Sequence, residues 1–87
     1  MMAKYKILVR ESVYKDTAEI PKKHLQRIIK AISDLAEEPG PPQSRKLSGE
    51  EKYRLRCGSY RVIYEIRDTE LIICVVRVRH RREVYGQ

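Results

Sequence analysis

The chain has 87 residues, with 19 Lys and Arg against 12 Asp and Glu, for a net charge of +7. That length fits one domain spanning 1–87 and leaves little volume for a deep enclosed active site, so chemistry is expected on a surface or in a shallow groove. The basic excess favours polyanions such as nucleic acid over acidic small molecules, and 41% apolar residues exclude a disordered chain.

The segment 5–10 is β-branched and aromatic and reads as a first strand. Ser12 is placed to cap a short helix over 13–20, which Pro21 ends because proline disfavours helical dihedrals in the residue before it. Over 22–38 the residues Leu25, Ile28, Ile29, Ile32, Leu35 and Ala36 repeat at helical spacing and predict a second, longer helix. Pro39-Gly40-Pro41-Pro42 stops it and opens a loop running to Gly49.

Three strands follow, at Lys52–Cys57, Tyr60–Arg67 and 71–78, separated by Gly58-Ser59 and Asp68-Thr69. An N-terminal strand, a two-helix hairpin and an antiparallel three-stranded meander make an α+β domain, one twisted sheet with helices on one face. The other face is left open. The longest apolar run, 71–76, is far short of the ~20 residues that cross a bilayer, and the N-terminus lacks a signal-peptide core, so the protein is expected in the cytoplasm without a membrane partner. Cys57 and Cys74 each lie in a predicted strand, and two cysteines in such a chain are expected to be reduced.

Charge is not evenly spread: residues 1–44 carry eight basic and six acidic side chains, residues 45–87 eleven and six. Within the strand Lys52–Cys57, Tyr53, Leu55 and Cys57 alternate with Arg54 and Arg56. A two-residue turn at Gly58-Ser59 pairs Cys57 with Tyr60 and therefore Arg56 with Arg61, with Arg54 one step along the same face. Opposed like charges cost up to ~1 kcal/mol, and a bound polyanion would offset that cost. Arg77, Arg79, His80, Arg81 and Arg82 add five groups able to meet phosphate.

Cleaving RNA requires a base for the 2′-hydroxyl proton, cations for the charged transition state and an acid for the departing 5′-oxygen. Arg61 and Arg81 are the candidate cations, and His80 and Tyr85 the candidate titrating groups. Tyr85 as a base needs nearby positive charge to stabilise its phenolate. His24 falls on the polar side of the long helix and is read as a surface residue. No Cys-x-x-Cys pair, glycine-rich phosphate loop or Ser-His-Asp candidate is visible, so no metal or cofactor is expected. Tyr53, Tyr60 and Tyr64 fall on the apolar face and are explained by core packing.

Lys46-Leu47-Ser48-Gly49, Tyr53-Arg54-Leu55-Arg56, Ser59-Tyr60-Arg61-Val62-Ile63-Tyr64 and His80-Arg81-Arg82-Glu83-Val84-Tyr85 together resemble the RelE/ParE toxin superfamily over nearly the whole chain. The resemblance to the RelE branch implies a metal-independent mRNA interferase, the toxin of a type II toxin–antitoxin system, that cuts A-site codons on the ribosome by 2′-hydroxyl attack. It implies Tyr85 as general base, Arg81 at the leaving oxygen with His80 able to share the acid role, and Arg61 on the phosphate. Arg54, Arg56, Lys52, Arg79 and Arg82 would bind RNA. The positions of Arg54 and Arg56 are often lysine in that family, and the position of Arg79 is often glycine. The implied partners are a RelB-like antitoxin, the ribosome with its rRNA, and mRNA. The ParE branch shares the fold and implies DNA gyrase as the alternative target.

Overall fold

A computed structural model describes residues 4–47 and 52–80. Its elements in chain order are β1 (Lys6–Val9), α1 (Glu11–Thr17), α2 (Lys22–Asp34), β2 (Ser44–Lys46), β3 (Lys52–Cys57), β4 (Tyr60–Arg67) and β5 (Ile72–His80). The five strands form one sheet in the order β1-β5-β4-β3-β2. β3, β4 and β5 are the expected antiparallel meander, and β1 joins it parallel to β5, with Lys6 against Ile72 and Val9 against Val75.

Most apolar residues of the three long strands face the helices. Leu55, Val62, Tyr64, Ile73, Val75 and Val78 are buried with Val13 of α1, Ile28 of α2 and Leu35 just beyond it. The expected one-sided layering is therefore present. Among the described residues no helix is long and apolar enough to cross a membrane.

The boundaries depart from expectation where local chemistry intervenes. Ser12 does not cap α1: the helix starts at Glu11, and the Ser12 hydroxyl instead donates to Val76 O at 2.7 Å. α1 ends at Thr17, earlier than the expected 20, as the Thr17 hydroxyl bonds back to Val13 O at 2.9 Å. Pro21 serves as the start of α2, its carbonyl accepting from the amides of His24 and Leu25. α2 is regular only to Asp34; Leu35, Ala36 and Glu37 then bond to the third residue back, a tightened last turn suited to the approach of Pro39.

Two further corrections concern the strands. The loop expected to run to Gly49 contains β2, which pairs antiparallel with β3, Arg45 against Arg54 and Lys46 against Tyr53. Leu71 belongs to a turn rather than to β5: it sits at φ 54°, and its amide donates to Asp68 O. The Gly58-Ser59 turn is as expected, with Gly58 at φ 59°, the positive value that the first turn residue of a type II′ hairpin requires.

Candidate anion-binding site

The tight turn at Gly58-Ser59 fixes the register of β3 against β4, and that register builds the site. Cys57 pairs with Tyr60 and Arg56 with Arg61, as the sequence predicts. β5 then sets Arg79 against Arg61 on its other side, so that Arg56, Arg61 and Arg79 form one cationic row across three adjacent strands. One step along the same face of β3, Arg45 of β2 pairs with Arg54. Because side chains alternate, all five project from the face that the helices leave uncovered.

Pro42, Gln43, Arg45, Arg54, Arg56 and Arg61 line a groove of about 400 Å³ on this face. None of those six is acidic. The groove floor comes from β3 and β4, and its wall from the segment leading into β2. That wall is held from the core side. The Tyr64 hydroxyl, on a residue with no exposed surface, donates to Pro39 O at 2.6 Å, and so accepts from Ser44 Oγ, also at 2.6 Å. Burial pushes the Tyr64 phenol above its ordinary pKa, the Ser44 hydrogen bond opposes the shift, and Tyr53 adds to it.

Arg61 differs from its neighbours in being only 3% exposed, the buried charged residue of the described chain. Its Nη1 donates to the Tyr60 carbonyl at 3.2 Å. A guanidinium held in that way beneath more exposed arginines is preorganised: an arriving anion meets fixed positive charge and loses little to side-chain ordering. Arg56 is exposed and Arg54 half-buried. Lys52 shares their face but stands opposite Glu65, beyond the groove.

His80 is placed differently. β5 runs on through it rather than stopping at Val78, and it pairs with Tyr60, on the helix-covered face. Its ring meets the Tyr60 ring edge-on, centroids 5.2 Å apart at 89°. The same tyrosine ring lies 5.9 Å from the ring of His24, tilted at 47°. His24 is therefore not a bare surface residue. The sequence held no signal for this trio, since the residues are far apart and only the register aligns them. Arg81, Arg82 and Tyr85 lie outside the described residues.

The two cysteines are free. Cys57 faces the helices, where burial pushes its thiol up and Arg27 pulls it partly back, while Cys74 pairs with Glu65 on the opposite face. A thiol raised in that way is mostly protonated at neutral pH and is a poor nucleophile.

Comparison with known proteins adds to this geometry. The family model for the ParE toxin of the type II toxin-antitoxin system parDE matches residues 3–85. Toxin RelG of Mycobacterium tuberculosis is 31% identical over 85 residues, covering 93% of this chain and 95% of the relative. A putative RelE-like toxin protein of Escherichia coli is 33% identical over 88 residues, covering 95% and 92%. Among solved structures, the archaeal RelE–RelB complex from Pyrococcus horikoshii OT3 superposes with a TM-score of 0.81 at 30% identity, over 90% of this chain and 96% of that one.

Proposed function

Because the chain belongs to the RelE/ParE superfamily, with the ParE toxin model spanning residues 3–85, and is a toxin of a type II toxin–antitoxin system, we propose that it is an endoribonuclease that cuts ribosome-bound mRNA. The observation that carries this reading is the row Arg56–Arg61–Arg79, flanked by Arg45 and Arg54, on an open sheet face. Five cations on adjacent strands repel one another, and a phosphodiester backbone turns that repulsion into attraction.

Base-catalysed cleavage of RNA proceeds by attack of the 2′-oxygen on the adjacent phosphorus. The 2′-hydroxyl gives up its proton, the new O–P bond forms, the bond to the 5′-oxygen breaks, and that oxygen is protonated as it leaves. Negative charge peaks on the non-bridging phosphoryl oxygens. Arg61 is the residue to meet that charge, since its guanidinium is buried and fixed before the substrate arrives. Arg79, directly across from it, is the second cation, and Arg45, Arg54 and Arg56 hold the flanking phosphates.

By resemblance to the superfamily, Tyr85 is the base that takes the 2′-proton and Arg81 serves the leaving oxygen. His80 sets its ring against Tyr60 on the helix-covered face, away from the arginine row. The partners proposed are mRNA on the ribosome and a RelB-like antitoxin, whose acidic side chains would neutralise the arginine groove. RelE of Pyrococcus horikoshii was solved as such a complex with RelB.

A second reading, inhibition of DNA gyrase, is favoured by the ParE description of the matching family model. Primer extension on mRNA with and without programmed ribosomes, beside a gyrase supercoiling assay on the same preparation, separates the two. Cuts that need ribosomes support the ribonuclease. Absence of cuts together with blocked supercoiling replaces it with the gyrase reading.

A further inference from the structure

β5 outruns its neighbour. β1 pairs with it only from Ile72 to Val75, yet β5 continues to His80, so among the described residues no strand pairs with the outer edge of 76–80. Helix α1 fills the gap with side chains. Where β1 ends, the Arg10 amide donates to Val75 O at 2.9 Å. Ser12 Oγ then donates to Val76 O at 2.7 Å, and Asp16 Oδ2 accepts from the Val78 amide at 2.9 Å. The Asp16 carboxylate also holds Arg77, whose Nη2 donates to Oδ1 at 3.1 Å while Nε lies 3.0 Å from Oδ2.

Arg77 pairs with Ile63 of β4 and is two residues from Arg79, so by alternation it belongs to the same face as the Arg56–Arg61–Arg79 row. It would extend the anion-binding surface if its guanidinium turned that way. Instead the guanidinium is held against α1 by an acid whose side chain is only 12% exposed. Of the two contacts only the one from Nη2 has hydrogen-bond geometry, and the Arg77 side chain keeps 41% of its surface exposed. A charge-assisted bond to so dry a carboxylate is still worth more than a fully exposed ion pair, which gives this orientation a physical cause.

We infer that Asp16 is a positioning residue for the anion-binding face: it locks the outer edge of β5 past the end of β1 and withholds Arg77 from the nucleic acid. The cationic face that a phosphate chain meets is thereby limited at its β5 border. This inference rests on the reading of the arginine groove as a nucleic-acid site.

The test uses the full chain and a twelve-nucleotide single-stranded RNA, with binding followed by fluorescence anisotropy across a salt series. For single strands the slope of log K against log salt changes by about 0.7 for each phosphate that the protein newly neutralises or ceases to neutralise. Arg77→Gln in the otherwise native chain is expected to leave that slope unchanged, since Arg77 makes no phosphate contact. Asp16→Asn, which keeps a side-chain oxygen for the Val78 amide but removes the charge holding Arg77, is expected to steepen the slope by about 0.7. The double variant is expected to return to the wild-type slope.

A fall of about 0.7 in the slope for Arg77→Gln alone would overturn the inference, and this variant leaves Asp16 on the strand edge, so it reads out even if Asp16→Asn does not fold. A steepening by Asp16→Asn that survives in the double variant would overturn it as well. Wild-type protein that shows no salt-dependent RNA binding would overturn the groove reading together with this one, whereas salt-dependent wild-type binding with either of the other results overturns this one alone.

Discussion

Replacing Tyr64 by Phe removes one oxygen atom from the centre of the protein and should affect both stability and binding. The phenol donates to Pro39 O and accepts from Ser44 Oγ, each at 2.6 Å, and its ring has no exposed surface. Phenylalanine keeps the ring and its stacking on Tyr53, 5.6 Å between centroids at 22°, so the packing is nearly conserved. What is lost is two hydrogen bonds at about 1 kcal/mol each, with a further cost for leaving the Ser44 hydroxyl and Pro39 carbonyl without that partner. The total is about 2–3 kcal/mol, which for a domain of this size lowers Tm by on the order of 10–20 °C. Chemical denaturation followed by circular dichroism reads the first number and a thermal melt the second. Ser44→Ala should cost less, and the two changes should be less than additive because they share a bond. Since the same oxygen ties down the segment leading to Gln43 and Arg45, RNA affinity at 25 °C should fall in the folded Phe variant. A loss below about 0.5 kcal/mol, or unchanged RNA affinity, would refute the claim that this hydroxyl anchors the groove wall.

Arg56→Gln should weaken RNA binding and make its salt dependence shallower by about 0.7 in log–log slope, one phosphate contact for a single strand, measured by anisotropy. Cys57, its thiol raised by burial, should react with a thiol reagent at pH 7 more slowly than a cysteine in an unstructured peptide; stopped-flow kinetics on a Cys74→Ser background checks this. The Tyr64 phenol has a folded pKa above its reference value of 10.0, so it binds its proton more tightly in the folded state. Its contribution to stability is therefore complete below pH 10 and is lost as pH rises through the folded value, and urea midpoints above pH 10 should fall more steeply for wild type than for Tyr64→Phe.

Much of the site was legible from one turn. Gly58-Ser59 between alternating strands dictated that Arg56 oppose Arg61, and side-chain alternation then separated the arginines from Tyr53, Leu55 and Cys57. What was not legible depends on contacts between residues distant in sequence. β2 carries Ser-Arg-Lys, a polar edge strand with no apolar alternation to announce it, yet it supplies Arg45. Arg79 enters the cationic row only because β5 pairs with β4 through a register shift between Ile63 and Tyr64, which a strict alternation would not reveal. Ser12 has the spacing of a helix cap, but the edge of β5 past the end of β1, 64 residues on, offers a better acceptor. His24, Tyr60 and His80 meet for the same reason, and Asp16 finds Arg77 across 61 residues.

The claim that the arginine groove on the uncovered sheet face is the anion-binding site is tested most directly by mapping it. We would titrate isotope-labelled protein with a short single-stranded RNA and follow the arginine Nε–H and backbone amide resonances by NMR. Binding in the groove predicts that the side-chain signals of Arg45, Arg54, Arg56, Arg61 and Arg79 shift together with amides of β2, β3 and β4, while those of α2 stay in place. Shifts confined to α1 and α2, with the arginine signals unmoved, would contradict it.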